Sequence, residues 1–375
     1  MAKRKGKTNL LHTVLSLETG GLEKMVVDFA QHLDRERYNV EVCCFDTLGA
    51  LSEELERQGI RATLLQRNQK HYDALFPLRL SRLLWEKKVH ILHMHSGTFF
   101  IGTQAGILTG TPPMVYTDHG RHFVEPRLLP FMDRFSSQFA RKIVAVSKEL
   151  QSYLTEIIRL PREKVITINN GIDTRKFSRR DKPRHLLDEL RIPRDHAVVG
   201  TVGRLAQVKD QFSLVKAFAQ ARQKLPEMTL LLVGDGPMRD ELQACAVELE
   251  VQDHVVFAGN RSDTHDIYNL FDVFMLTSLS EGTSISLLEA MASGVVPLVT
   301  NVGGNPSLVQ DGHNGLLVAP KDVAAMAQAI CFLVSGAEVR RRLSASAVQT
   351  VQENYSIDRM IREYQGMYEE LIPPD

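Results

Sequence analysis

The stretch Val273-Phe-Met-Leu-Thr-Ser-Leu-Ser-Glu-Gly-Thr-Ser-Ile-Ser-Leu-Leu-Glu-Ala-Met-Ala-Ser-Gly-Val-Val-Pro-Leu-Val299 decides the fold. A short apolar run leads into the turn Ser280-Glu281-Gly282; a helical pattern follows, and after Gly294 a second apolar run begins. Short apolar runs bounded by turn residues read as buried strands, so the stretch is a strand–loop–helix–strand unit. Glu281 falls in the loop and Glu289 on the helix that the loop opens. Orphan N–H groups and the helix dipole favour phosphate at a helix start. Carboxylates suit vicinal hydroxyls, because two oxygens accept from two O–H donors. A ligand carrying both groups, such as a nucleotide sugar, fits. A plainer account makes Glu281 a loop-end cap and Glu289 a helix-surface charge. A hydrolytic carboxylate pair is a third reading, but it leaves the cationic and glycine motifs described below without a purpose.

The same alternation extends outward in both directions. Strands are expected at Leu10–Leu15, Val40–Phe45, Ala62–Leu65, His90–His95, Met114–Thr117, Ile143–Ala145 and Val165–Ile168, with helices at Glu23–Leu33, Leu75–Glu86 and Lys148–Ile158. It restarts at Val198–Val202, Leu230–Val233, Val255–Phe257, Val273–Leu276, Val296–Val299 and Gly315–Val318. Near-continuous apolar strands indicate parallel sheets covered on both faces. The expected fold class is α/β, with two tandem Rossmann-like doubly wound domains and ligand at the carboxyl ends of strands. The expected limits are 1–178 for the first domain, a charged, proline-bearing linker at 179–194, and 195–355 for the second. A final helix over 356–375 should return to the first domain.

A chain of 375 residues exceeds one ordinary core, which agrees with two domains. The 45 basic and 45 acidic residues cancel, so no bulk attraction to nucleic acid is expected. Cys43, Cys44, Cys245 and Cys331 lack C-x-x-C spacing and read as buried thiols of a reducing compartment. No apolar run approaches the roughly 18 residues of a membrane span. The basic start and the short run Thr8–Ser16 suit a first strand better than a signal peptide, so a cytoplasmic protein is expected.

Gly20-Gly21 follows the first strand and opens a helix, where backbone can approach an anion, or where the chain simply turns tightly. Without a full G-x-G-x-x-G, the dinucleotide fingerprint is missing. In Gly203-Arg-Leu-Ala-Gln-Val-Lys-Asp210, Arg204 offers a planar fork to phosphate and Lys209 a mobile charge. Together they can neutralise a diphosphate leaving group without a metal; otherwise the loop is merely solvated. Gly234-Asp-Gly-Pro237 is mainly a turn. Asp118-His119-Gly120 ends a strand, where an imidazole can reach a sugar hydroxyl. His93 and His95 share one strand face and imitate a metal pair, but no third ligand is evident. Residues 121–142 mix Phe123, Leu128, Leu129, Phe131, Met132, Phe135 and Phe139 with Arg121, Arg127, Arg134, Arg141 and Lys142. That mixture can lie on a membrane or grip a lipid-linked acceptor; the commoner alternative is an amphipathic helix packed on the sheet.

In this order and spacing, Gly20-Gly21, Asp118-His119-Gly120, Val144-Ala-Val-Ser-Lys148, Asn170-Gly-Ile-Asp173, Gly203-Arg204 with Lys209, Gly234-Asp-Gly-Pro237 and Ser280-Glu281 through Glu289-Ala-Met-Ala292 carry a resemblance. The chain resembles the retaining glycosyltransferases of family four, or group 1, with the GT-B fold of two domains facing a central cleft. The resemblance implies that Arg204 and Lys209 hold the donor diphosphate and that Glu289 accepts from ribose hydroxyls. It implies Glu281 and His119 at the transferred sugar, backbone at Gly20 and Gly21 near the phosphates, and backbone at Asn260 and Arg261 along the base. Residues Gly282, Thr283, Ser284, Ile285 and Ser286 complete the implied donor site. Many relatives have an aromatic where Thr283 stands, which bears on sugar identity. The resemblance also implies retention of configuration and no need of a metal or other cofactor.

The expected function is transfer of a sugar from a nucleoside diphosphate, UDP favoured and GDP next, to a saccharide or lipid-linked acceptor hydroxyl. Cell-surface polysaccharide or glycolipid synthesis is the expected setting. A nucleotide-sugar epimerase, a phosphorylase and a non-catalytic sugar-nucleotide-binding protein are the alternatives; a nicotinamide dehydrogenase lacks its fingerprint.

Overall fold

The computed structural model describes residues 6–18, 20–68, 73–120 and 128–372. The chain forms two compact units, Met1–Gly171 with Ile357–Asp375, and Ile172–Ser356.

In the first unit the strands are β1 (Thr8–Ser16), β2 (Tyr38–Thr47), β3 (Arg61–Leu64), β4 (Ile91–His95), β5 (Met114–Asp118), β6 (Lys142–Ala145) and β7 (Val165–Thr167). They form one parallel sheet in the order β3-β2-β1-β4-β5-β6-β7. The order reverses between β1 and β4, the switch point at which such sheets bind ligands. Side chains alternate across the pleat. Leu11, Leu92 and Met94 pack on one face with Phe76, Leu80 and Leu84 of the helix Phe76–Glu86. On the opposite face His12 and His93 meet Phe29 of the helix Gly21–His32, and His93 also meets Tyr364 and Tyr368 of the helix Ile357–Leu371. The last helix therefore completes the core of the first unit.

The second unit repeats the design with β8 (Ala197–Val202), β9 (Met228–Val233), β10 (Val255–Gly259), β11 (Val273–Leu276), β12 (Val296–Thr300) and β13 (Leu316–Val318). All are parallel, in the order β10-β9-β8-β11-β12-β13. Val199, Leu230, Leu232, Val273 and Met275 face one hydrophobic cluster; Val198, Leu231, Val233, Phe274 and Leu276 face the other. Both sheet faces are dry, which is why the strands read as apolar runs.

Two expectations are corrected. Residues 179–194 are not a linker. The break falls at Gly171, and the segment that follows carries the helix Arg184–Glu189 and buries Phe177, Leu186, Leu187 and Ile192 in the second core. Four dispersed apolar side chains fix it in place, and the ion pairs Arg180–Asp266 and Lys182–Asp272 tie it to the rest of the unit. The helix Leu129–Phe139 is not packed apolar side inward. It buries Asp133, Ser136 and Ser137 and leaves Leu128, Phe131, Phe135 and Phe139 exposed. Arg121, Phe123 and Arg127 lie outside the described residues.

Among the described residues no single helix is long and apolar enough to cross a membrane. Val323–Ser335 and Ala337–Asn354 pass by length and composition only as a pair bent by 99°. They bury Met326, Ile330, Leu343 and Val351 inside the second unit.

Candidate active site

At the carboxyl ends of β8 and β11 two loops meet. The loop after β8 carries Arg204 and Lys209, and the loop after β11 carries Glu281. Lys209 Nζ lies 2.6 Å from Glu281 Oε1, and Ser278 Oγ donates to that same oxygen at 2.5 Å. The Glu281 side chain is only 8% exposed, so an unpartnered charge there would be costly. Backbone bonds align the loops: Leu279 N–H donates to the Val208 carbonyl at 2.8 Å. Thr277 Oγ1 lies within 3.0 Å of the Lys209 carbonyl and 2.9 Å of the Asp210 carbonyl. Arg204 is exposed, and its guanidinium makes no hydrogen bond or ion pair among the described residues. Gln211 fixes its backbone by donating to the Arg204 carbonyl at 3.0 Å. Lys209 is thus held by Glu281, and Arg204 stays available to an anion.

Gly303 backs this loop. Its φ is +52°, and a Cβ there would lie 1.9 Å from the Glu281 carbonyl oxygen. Only glycine lets the chain after β12 press this closely on Glu281. Gly282 and Thr283 then lead to Ser284, whose hydroxyl accepts from Leu287 N–H at 3.3 Å and so caps the helix Ile285–Ala292. Ser286 Oγ lies 3.2 Å from Ser284 Oγ. The first-turn N–H groups of Ile285 and Ser286 have no intrahelical acceptor.

Glu289 sits on the buried side of that helix, 4% exposed, and accepts from the Tyr268 hydroxyl at 2.8 Å. The carboxylate therefore already has a fixed partner, which the sequence did not reveal. Tyr268 lies 21 residues upstream in an apolar segment, and such a residue reads as core. The Arg261 guanidinium is committed elsewhere: it donates to Asp263 at 2.8 and 2.6 Å and to Glu189 at 2.5 Å. Asn260 beside it is exposed.

The first unit holds two further predicted elements. At Gly20-Gly21 a carboxylate already stands at the helix start. A Cβ on Gly20 would lie 2.1 Å from Glu23 Oε2, and burial pushes the Glu23 carboxyl above the usual range. Glu23 in the first turn is the helix's own anion. Thr19 lies outside the described residues.

His119 follows β5 directly. Its backbone N–H donates to Ser96 Oγ at 2.9 Å, and its Nε2 lies 2.8 Å from His95 Nδ1. His95 Nε2 lies in turn 2.9 Å from His12 Nδ1. Strands β1 and β4 are neighbours with His12 opposite His93, so the sheet supplies the third histidine that the sequence left unseen. Ligand nitrogens of His12, His93 and His95 fall within 4.8 Å of one another. They are already committed, however. His93 contacts the Tyr368 hydroxyl at 2.6 Å and Thr117 Oγ1 at 2.8 Å, and among the described residues His12 Nε2 has no partner. With His119, the rings of His12 and His95 form a hydrogen-bonded chain. Burial lowers His12 to about 3 and His119 to about 4, and holds His93 and His95 well below the usual imidazole range. All four rings are neutral at neutral pH.

Two Rossmann-type units, with a lysine–glutamate pair at strand ends of the second, define the class of GT-B glycosyltransferases. Residues 19–176 match the Glycosyltransferase Family 4 and residues 184–350 match Glycosyl transferases group 1. The chain belongs to the group 1 glycosyltransferases. It is 24% identical over 387 residues to the UDP-Gal:alpha-D-GlcNAc-diphosphoundecaprenol alpha-1,3-galactosyltransferase of Escherichia coli, covering 99% of each chain. It is 26% identical over 318 residues to the N-acetyl-alpha-D-glucosaminyl L-malate synthase of Bacillus anthracis, covering 81% of each. In fold it is similar to Anabaena HepE, a structure in complex with UDP and glucose, at TM-score 0.86 and 22% identity over 97% of this chain and 100% of that one.

Proposed function

We propose that this glycosyltransferase moves a sugar, with retention and without a metal, from a nucleoside diphosphate to a saccharide or lipid-linked acceptor. UDP is the favoured nucleotide and cell-surface polysaccharide or glycolipid the favoured product. The observation that carries this reading is the Lys209–Glu281 pair beside Arg204, whose guanidinium is unpaired among the described residues. Arg204 and Lys209 take up the charge that develops on the diphosphate, the role a metal plays in other transferases. Glu281 both orients Lys209 and presents its second oxygen to sugar hydroxyls. Glu289, steadied by Tyr268, accepts from ribose. His119 hydrogen-bonds the transferred sugar. The bond from C1 to the phosphate oxygen breaks as the acceptor oxygen bonds to C1 on the same face, and the departing diphosphate takes the acceptor's proton.

The E. coli relative's name gives UDP-Gal as donor and a diphosphoundecaprenol-linked acceptor, and the HepE complex holds UDP. Both favour a uridine donor. A lipid acceptor also suits the helix Leu129–Phe139. Its outward stripe of Leu128, Phe131, Phe135 and Phe139, with exposed Arg141 beside it, matches an anionic membrane face, consistent with work at the cytoplasmic side of a membrane.

The test is release of nucleoside diphosphate from UDP-galactose or UDP-glucose, with and without a lipid-diphosphate-linked N-acetylglucosamine, in EDTA, with the product anomer read by NMR. Acceptor-dependent release and an α-anomer are expected. Isomerised donor without acceptor marks an epimerase. Tight UDP binding with no turnover across a panel of acceptors marks a binding protein.

A further inference from the structure

His12, His95 and His119 stand in a row on β1, at the end of β4 and just past β5, joined nitrogen to nitrogen at 2.9 and 2.8 Å. A neutral imidazole carries one N–H, so each ring donates at one nitrogen and accepts at the other. The whole row must then run in a single direction. If it runs outward, His12 Nδ1–H donates to His95 Nε2 and His95 Nδ1–H donates to His119 Nε2. If it runs inward, every proton moves to the opposite nitrogen.

The inner end decides between the two. His12 is fully buried and its Nε2 has no hydrogen-bond partner among the described residues. An inward row would bury an unsatisfied N–H there, whereas an outward row leaves only a lone pair; buried orphan donors are the rarer and costlier case. His93 does not relieve the orphan, because its two nitrogens are occupied by Tyr368 and Thr117. At the other end, His119 Nδ1 makes no hydrogen bond among the described residues.

We infer that His12 and His95 are positioning residues that lock His119 in the Nδ1–H tautomer, so that it is a fixed hydrogen-bond donor to its ligand. This rests on the proposed reading in which His119 serves the transferred sugar. A donor in a fixed tautomer recognises a hydroxyl oxygen that can accept, and it cannot serve as the base that receives the acceptor's proton. That duty stays with the departing phosphate. The chain gives a reason for burying two imidazoles, His12 and His95, behind a half-buried His119.

The full chain labelled with 15N-histidine tests this by long-range 1H–15N correlation. Wild type is expected to show His119 protonated at Nδ1 and bare at Nε2. Breaking the chain with His95→Leu should move His119 toward the Nε2–H form that free imidazole favours, and lower kcat about tenfold with KM less affected. His12→Phe should act in the same direction. His95→Asn, whose amide can donate near the position of Nδ1, should restore the tautomer and part of the rate, which a purely structural role for His95 does not predict. An Nε2–H tautomer in wild type, or a tautomer indifferent to both His95→Leu and His12→Phe in folded protein, overturns the inference. A tautomer that shifts as expected while transfer is unaltered upholds the chain and instead removes His119 from the sugar.

Discussion

Lys209 Nζ lies 2.6 Å from a Glu281 carboxylate that is 8% exposed, while Lys209 itself is 26% exposed. The pair is therefore buried at its acidic end and open at its basic end. A ligand can reach the ammonium from solvent without dismantling the ion pair.

Replacing Lys209 with alanine strands Glu281 with Ser278 as its remaining partner. Stranding one member of a fully buried pair costs about 3–5 kcal/mol, and solvent at the lysine end reduces this to about 1–2 kcal/mol. Transfer should fall far more, by about 100-fold, because a preorganised cation at the leaving group is lost. Thermal denaturation and diphosphate release measure the two separately. Near wild-type transfer by Lys209→Ala with a verified donor removes the assignment.

Arg204 is the opposite case. Its guanidinium has no partner among the described residues, so Arg204→Ala should leave stability within about 0.5 kcal/mol of wild type. Its affinity for UDP should drop about 10- to 100-fold, the worth of a charge-assisted hydrogen bond to phosphate. Calorimetric titration with UDP measures it; unchanged affinity places the diphosphate elsewhere.

Glu23 guards the helix start at Gly20. Burial raises its pKa, so the folded state holds this proton more tightly than the unfolded chain does. Stability is then lost as pH rises through the folded value. Glu23→Gln should stabilise the protein at neutral pH and not in acid, and should tighten any phosphate contact at Gly20-Gly21. Melting curves at pH 4 and 7.5, with and without UDP, follow both effects. Equal shifts at the two pH values contradict the cause.

The buried histidines predict acid lability. Folded values near 3 for His12 and 4 for His119, against 6.5 unfolded, mean that the unfolded chain binds more protons below pH 6.5. Stability is full above 6.5 and declines as pH falls toward the folded values. Transfer should show no inflection from His119 between pH 6 and 8. A His119→Gln variant that abolishes an inflection in that window contradicts this.

Phe131 and Phe135 are 64% and 47% exposed on a helix that buries serine and aspartate instead. Phe131→Asp with Phe135→Asp should leave the melting temperature near wild type and weaken sedimentation with phosphatidylglycerol vesicles tenfold or more, since each buried ring contributes about 1.5–3 kcal/mol. Binding that survives the double change rules out this face.

The sequence was informative wherever one local rule sufficed. Val273–Leu276 and Val296–Val299 are apolar without interruption because both sheet faces are covered, and observed strands correspond to them. Ser280-Glu281-Gly282 carried its turn in its own composition. At 179–194 the rule failed, because Leu186, Leu187 and Ile192 among many charges bury a segment that composition describes as linker. It failed again at Phe131 and Phe135, since periodicity gives a helix an apolar side but not the direction in which that side points.

From sequence alone came the strand alternation, the loop that bears Glu281, and the cations at Arg204 and Lys209, all set by residues near one another along the chain. Only the tertiary structure put Lys209 against Glu281 across 72 positions, Tyr268 on Glu289, and His12 beside His95. Those contacts depend on which strands become neighbours and on the register in which they pair, and that is settled by burial of whole sheet faces, not by any local pattern.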